Sequence, residues 1–231
     1  EAPGPPRHRP AVFVEAAEER GLNFRMEFLP GEQGQTFKIN LYDHGAGVAV
    51  ADVNGDGHDD LYFCNQLGSN ALFLNDGTGR FRDVTAAAGV GVPDRISVAA
   101  TFADYDGDGD QDLYVTTTRG GNLLFRNRGD GTFEDVTEAA GLTLTAHSEQ
   151  GFFFDADGDG DLDLYVTNTA EWTTADFNEG GRYWLGASTL EDLIDSRPEH
   201  DRFYLNRGDG TFEDATERAG LRGAGWSGDG A

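Results

Sequence analysis

The chain contains one cysteine, Cys64, and one methionine among its 231 residues. A single thiol excludes an intrachain disulfide, and Cys64 reads as a small apolar residue within a strand. No stretch is long and apolar enough to span a bilayer as a helix, which takes about 20 residues. The opening residues do not read as a secretory leader. The opening Glu1–Pro10 holds four of the seven prolines and reads either as a tether behind a removed leader or as an arbitrary start of the sequence. Basic residues are scarce, with 17 Lys and Arg against 42 Asp and Glu and a formal net charge of −25. Nucleic acid and anionic membrane would both repel such a chain and are excluded as partners. Nucleophile elbows, phosphate loops and zinc-ligand spacings are also missing.

What is abundant is glycine, with 33 residues, roughly twice the usual share, which implies many tight turns. The 16 Phe and 7 Tyr argue against a disordered acidic chain and supply a core. The acids are clustered. Three nine-residue segments align without gaps: Asp52-Val-Asn-Gly-Asp-Gly-His-Asp-Asp60, Asp104-Tyr-Asp-Gly-Asp-Gly-Asp-Gln-Asp112 and Asp155-Ala-Asp-Gly-Asp-Gly-Asp-Leu-Asp163. Each leads into an apolar run beginning Leu61, Leu113 or Leu164. A second element follows, as in Asn122-Leu-Leu-Phe-Arg-Asn-Arg-Gly-Asp-Gly-Thr-Phe-Glu-Asp-Val-Thr137, and closes on Ala-Gly plus an aliphatic residue at 88–90, 140–142 and 219–221.

One unit therefore reads as four short strands, for example Ala99–Ala103, Leu113–Thr117, Leu123–Asn127 and a last one near Phe133–Val136. Four strands at a period of about 50 residues describe a propeller blade. The expected fold is all-β, a β-propeller segment over residues 11–231 with repeats at about 40–90, 91–142 and 143–221. Partial copies flank these three, Phe13–Leu22 before them and Trp226–Ala231 after them, so further blades or another subunit would complete the ring. The third unit carries about 27 extra residues, roughly 170–198, because Phe125 and its counterpart Tyr204 lie 79 apart instead of 52. Within them Thr189–Asp195 is a candidate short helix, with Thr and Asp three apart as a cap.

The acidic segments have the pattern of calcium loops. Oxygen donors at alternate positions of a tight loop point to one centre, and Ca²⁺ takes six to eight oxygens in tolerant geometry. Positions 1, 3, 5 and 9 are Asp52, Asn54, Asp56 and Asp60; Asp104, Asp106, Asp108 and Asp112; and Asp155, Asp157, Asp159 and Asp163. Position 7 (His58, Asp110, Asp161) would offer its backbone carbonyl. About three ions are expected. Mg²⁺ suits the loops less, since it demands a strict octahedron. An EF-hand needs a Glu at position 12 and flanking helices. Position 12 here is Phe63, Val115 and Val166, each in a strand.

With these residues in view, the chain resembles the FG-GAP (VCBS-type) repeats of integrin α-subunit propellers, and most closely the cartilage-acidic-protein/ASPIC-type family. Phe102–Val115 and Asn127–Leu142 carry the resemblance. It implies a propeller of the seven-bladed type, calcium between the first two strands of each blade, and a secreted, periplasmic or cell-surface setting.

Lesser signals have plain readings. Arg128-Gly129-Asp130 and Arg207-Gly208-Asp209 spell an adhesion tripeptide, but both sit where Gly-Asp-Gly makes a hairpin turn. His44 and His147 each fall eight residues before a loop, at the start of a first strand, where a ligand or ordinary packing are both open. The insertion combines Glu171, Trp172, Asp176, Arg182, Tyr183 and Trp184, which suits protein or carbohydrate recognition or a cover for a blade edge. The expected function is a non-enzymatic adhesion or binding scaffold for a protein or glycan ligand. The alternative is a sugar-active enzyme, a lyase, dehydratase or hydrolase, using His44, Arg95, His147 or insertion residues at the channel mouth.

Overall fold

In a computed structural model the residues described are 14–27, 29, 47–187 and 189–221. Glu1–Pro10, His8, His44 and Trp226–Ala231 lie outside them. Among the described residues, alternation of apolar and polar residues builds three four-stranded antiparallel sheets and a smaller two-stranded one. The first contains β1 (Val48–Ala51), β2 (Asp60–Phe63), β3 (Ala71–Asn75) and β4 (Phe81–Asp83), hydrogen-bonded in that order, and a single helical turn, α1 (Thr85–Ala88), follows. The second repeats the pattern with β5 (Ser97–Ala103), β6 (Asp112–Thr117), β7 (Leu123–Asn127) and β8 (Phe133–Asp135). In the third, β9 (Ser148–Phe154) and β10 (Asp163–Asn168) are followed by an excursion of β11 (Thr173–Phe177), β12 (Trp184–Gly186) and α2 (Leu190–Ile194). The sheet then resumes with β13 (Arg202–Asn206) and β14 (Phe212–Asp214).

These are propeller blades of four up-and-down strands. They approach one another along their first strands, β1 against β5 and β5 against β9. Tyr62, Leu72 and Val90 of the first blade pack with Ala100, Leu113 and Phe125 of the second. Tyr114, Leu124 and Leu142 of the second pack with Leu164, Tyr204 and Phe212 of the third. The polar tips of these tyrosines are satisfied by a repeated device. Asn70 Nδ2 donates to Tyr62 Oη at 2.8 Å and to Ser97 Oγ on the next blade at 2.9 Å. Asn122 Nδ2 does the same with Tyr114 Oη at 3.1 Å and Ser148 Oγ at 2.9 Å. On the third blade Tyr165 Oη instead donates to Asp201 at 2.7 Å.

The four expected strands of the second blade are all present, with β5 and β6 starting two and one residues earlier than anticipated. The cap at Thr189 forms in both directions: Asp192 N donates to Thr189 Oγ1 at 3.1 Å, and Thr189 N to Asp192 Oδ2 at 3.2 Å.

Candidate metal centre

Each acidic loop joins the first and second strands of its blade. Backbone amides fold it inward: Gly57 N donates to Asp52 Oδ2 at 2.7 Å, Gly109 N to Asp104 Oδ2 at 3.0 Å and Gly160 N to Asp155 Oδ2 at 3.2 Å. The glycines at positions 4 and 6 all have positive φ, from +71° at Gly55 to +98° at Gly160. A Cβ at any of the six would meet nothing within 4 Å. Backbone conformation, not crowding, demands glycine there.

Positions 1, 3 and 5 converge. In the second loop Asp104, Asp106 and Asp108 place one oxygen each within 4.8 Å of one another, and Asp155, Asp157 and Asp159 do so in the third. In the first loop the amide of Asn54 stands at position 3, and its Nδ2 donates to Asp56 Oδ2 at 3.1 Å. Position 9 has a different setting. Asp60, Asp112 and Asp163 are buried, and each bridges two backbone amides, one from position 2 of the loop and one from the following hairpin. For Asp112 the donors are Tyr105 N at 3.2 Å and Asn127 N at 2.8 Å. Val53 and Asn75 serve Asp60 in this way, as do Ala156 and Asn206 for Asp163. The side chains at position 7 lean on the hairpin glycines Gly77, Gly129 and Gly208 of their own blades.

Burial and neighbouring charge raise the proton affinity of some of these carboxylates. Burial, helped by Asp106 and Asp108, pushes Asp112 up to about 7 against the amide bonds from Asn127 and Tyr105. Asp106 is raised by burial and by Asp108 and Asp104, and Asp157 by desolvation and by Asp159. Asp52 moves the other way, because backbone amides led by Gly57 outweigh its desolvation. Two oxygens of the second loop, Asp104 Oδ1 and Asp106 Oδ1, are buried and accept no hydrogen bond. Buried acceptors left in this way cost about 1–3 kcal/mol each. An all-oxygen set of this kind, with unbonded lone pairs and mutually repelling charges, fits a hard divalent cation.

The strand–loop–strand unit, repeated with its acids in register, has a counterpart among known families. The description "FG-GAP-like repeat" matches residues 52–115 and again 104–166. This chain carries FG-GAP-like repeats. It is also similar to Cartilage acidic protein 1. The human protein is 32% identical over 138 residues, which are 55% of this chain and 21% of that protein. The Xenopus tropicalis protein is 34% identical over 143 residues, 56% of this chain and 21% of that protein. The matched stretch thus spans about a fifth of these relatives.

Elsewhere the structure separates the lesser signals. In the tripeptide hairpins Asp130 Oδ1 accepts from Thr132 N at 2.9 Å and Asp209 Oδ1 from Thr211 N at 3.0 Å, while Arg128 and Arg207 pair with Glu134 and Glu213. These are turns closed on themselves. His147 is 1% exposed, with Nδ1 at 3.1 Å from Glu199 and Nε2 at 2.8 Å from Thr173 Oγ1. Its ring is therefore packing between blade and insertion. Arg95 Nη1 donates to the Gly121 carbonyl at 2.7 Å. Arg119, with a positive φ of 56°, holds the insertion from the neighbouring blade, donating to Thr173 and Thr174 beneath the Trp184 ring. The sequence offered no signal for Glu199 or Arg119. It did show the asparagines 75, 127 and 206 at one position of every repeat, without saying what they hold.

Proposed function

We propose that this chain is a calcium-binding segment of an extracytoplasmic propeller that serves as a scaffold for protein or glycan recognition. Calcium is held by the side chains at positions 1, 3, 5 and 9 of each loop and by the carbonyl at position 7, giving about three ions. The observation that carries this reading is the second loop, where converging carboxylates leave Asp104 Oδ1 and Asp106 Oδ1 buried with no donor. When bound, calcium supplies neutralising charge and cross-links the loop. The chain's own residues set the loop's shape, through Asp60, Asp112 and Asp163 and the six glycines. The extracytoplasmic setting is supported by the similarity to Cartilage acidic protein 1, and it is where calcium reaches the level that extracellular modules need, about 10⁻⁴–10⁻³ M. The insertion, braced on two blades, presents Phe177 and Trp184 in ring contact at 5.0 Å as the recognition surface.

Thermal unfolding of the purified chain in millimolar calcium and in excess chelator, with bound metal counted, tests the reading. A rise in Tm with about three ions per chain supports it. An unchanged Tm with no bound metal overturns it.

A further inference from the structure

Asn127 and Asn206 each touch two acidic loops at once. Asn127 is 1% exposed. Its Nδ2 donates to the Gln111 carbonyl of its own blade's loop at 3.1 Å, and to the Val53 carbonyl of the preceding blade's loop at 2.8 Å. Its backbone N holds Asp112 Oδ1 at 2.8 Å, and its Oδ1 accepts from Gly129 N at 3.1 Å. Asn206 repeats every contact one blade on, with Nδ2 on the Leu162 carbonyl at 3.0 Å and on the Tyr105 carbonyl at 2.8 Å. Its backbone N meets Asp163 Oδ1 at 2.9 Å, and its Oδ1 accepts from Gly208 N at 3.0 Å.

The carbonyls chosen matter. Val53 and Tyr105 stand at position 2, between the side chains at positions 1 and 3. Gln111 and Leu162 stand at position 8, between positions 7 and 9. The amide has two N–H donors, and both are spent here, one on each loop. A shift of one loop's backbone is therefore passed to the other through a single buried side chain. The hairpin carrying Asn127 also approaches the first loop directly, since a Cβ at Gly131 would lie 3.9 Å from Asn54 Cβ. Asn75 is the internal comparison. It donates to Asp59 O at 3.1 Å within its own blade, and no second loop lies within its reach among the described residues.

We propose that Asn127 and Asn206 couple the cation loops in series, the first to the second and the second to the third, so that filling one loop pre-organises its neighbour. This rests on the calcium reading above. The two asparagines are positioning residues and not ligands. A net hydrogen bond is worth about 1 kcal/mol, so losing one bridge should weaken each loop it joins on the order of fivefold. Coupling between sites is reciprocal, so a defect placed in the first loop must be felt in the second.

Hydrogen exchange of the full 231-residue chain, followed by mass spectrometry across a calcium titration, reads each loop separately. Expected for Asn127→Ala is a rise of about fivefold in the calcium midpoint for peptides covering 52–60 and 104–112, with the smallest change at 155–163. Asn206→Ala should move 104–112 and 155–163 and leave 52–60 least affected, and Asn75→Ala should move 52–60 most, with a smaller shift passed to 104–112 through the intact Asn127 bridge. Asp56→Asn, an exposed change in the first loop, asks the same question without touching an asparagine bridge, and should raise the midpoint at 104–112. Shifts confined to the mutated residue's own blade, or equal in all three loops, would overturn the coupling. Absence of calcium-dependent protection in the unaltered chain would overturn the calcium reading itself, and the coupling with it.

Discussion

The backbone amide of His147 and the ring Nδ1 of the same residue meet a single oxygen, Oε2 of Glu199, at 2.6 and 3.1 Å. This contact joins the start of β9 to the end of the insertion, 52 residues later. Burial works against the Glu199 carboxylate, but the hydrogen bonds from His147 outweigh it and hold its pKa below the usual value of 4.5. Glu199→Ala should destabilise the chain by about 1.5–3 kcal/mol near neutral pH, the range for hydrogen bonds to a charged group. Because the folded pKa is depressed, that difference is present above about pH 4.5 and shrinks as pH falls through the folded value. Hydrogen exchange should rise in residues 172–197 while β5–β8 stay protected. Uniform loss of protection would refute the local role.

Asp106→Asn should act with opposite signs in the two metal states. In chelator it removes a charge that Asp108 and Asp104 repel, so the variant should unfold at a higher temperature than the parent chain. In millimolar calcium it removes a ligand, so the order should reverse. Each effect is expected to be about 1 kcal/mol, roughly 2–4 °C for a chain of this size. Paired thermal melts decide it, and a variant less stable in both conditions would show Asp106 to be merely structural.

The pH dependence follows from Asp112, whose folded pKa of about 7 lies above the ordinary 3.8. A raised carboxylate pKa stabilises the fold most below the unfolded value, and that contribution disappears as pH rises through the folded one. In chelator, stability should therefore decline between about pH 4 and 7 on account of this group. Calcium requires the deprotonated form, so the gain in Tm on adding calcium should grow across the same interval. Melts at pH 5 and pH 8, with and without calcium, test both trends, and a calcium effect equal at the two values would count against them.

Asn122→Ala removes the bonds to Tyr114 Oη and Ser148 Oγ and leaves the Thr117 amide without its acceptor. The expected cost is about 2–4 kcal/mol, since buried groups on two blades lose partners together. Urea unfolding should show a lower midpoint with an unchanged slope. A change below about 0.5 kcal/mol would mean that the Asn122 bonds contribute nothing to joining the second and third blades.

The blades were legible in the sequence because their strands alternate and their turns recur at fixed spacing. Leu123–Asn127 was recovered to the residue, and the capping pair at Thr189 and Asp192 was visible as a local pattern. The convergence of Asp104, Asp106 and Asp108 was equally local, set by alternate positions in one glycine-rich loop. What the sequence hid is non-local. Asp112 resembles the other loop acids on paper, yet it is buried on two amides, one of them 15 residues away. His147 and Glu199 belong to different repeat elements, and no spacing rule pairs them. Arg119 reaches the insertion across 55 residues through a backbone shape that no short motif announces.

The insertion is anchored outside its own tip. His147 and Arg119 belong to the blades and secure the segment at Thr173, Thr174 and Glu199, while Tyr183 packs with Ile96 and Trp184 lies against Arg119, which leaves the exposed residues 175–177 and 179–182 as the part on display. Substitutions at those exposed positions alter what the molecule displays with little effect on how it stands. The same framework would accept a different tip in their place, much as an exchangeable bit fits a fixed chuck.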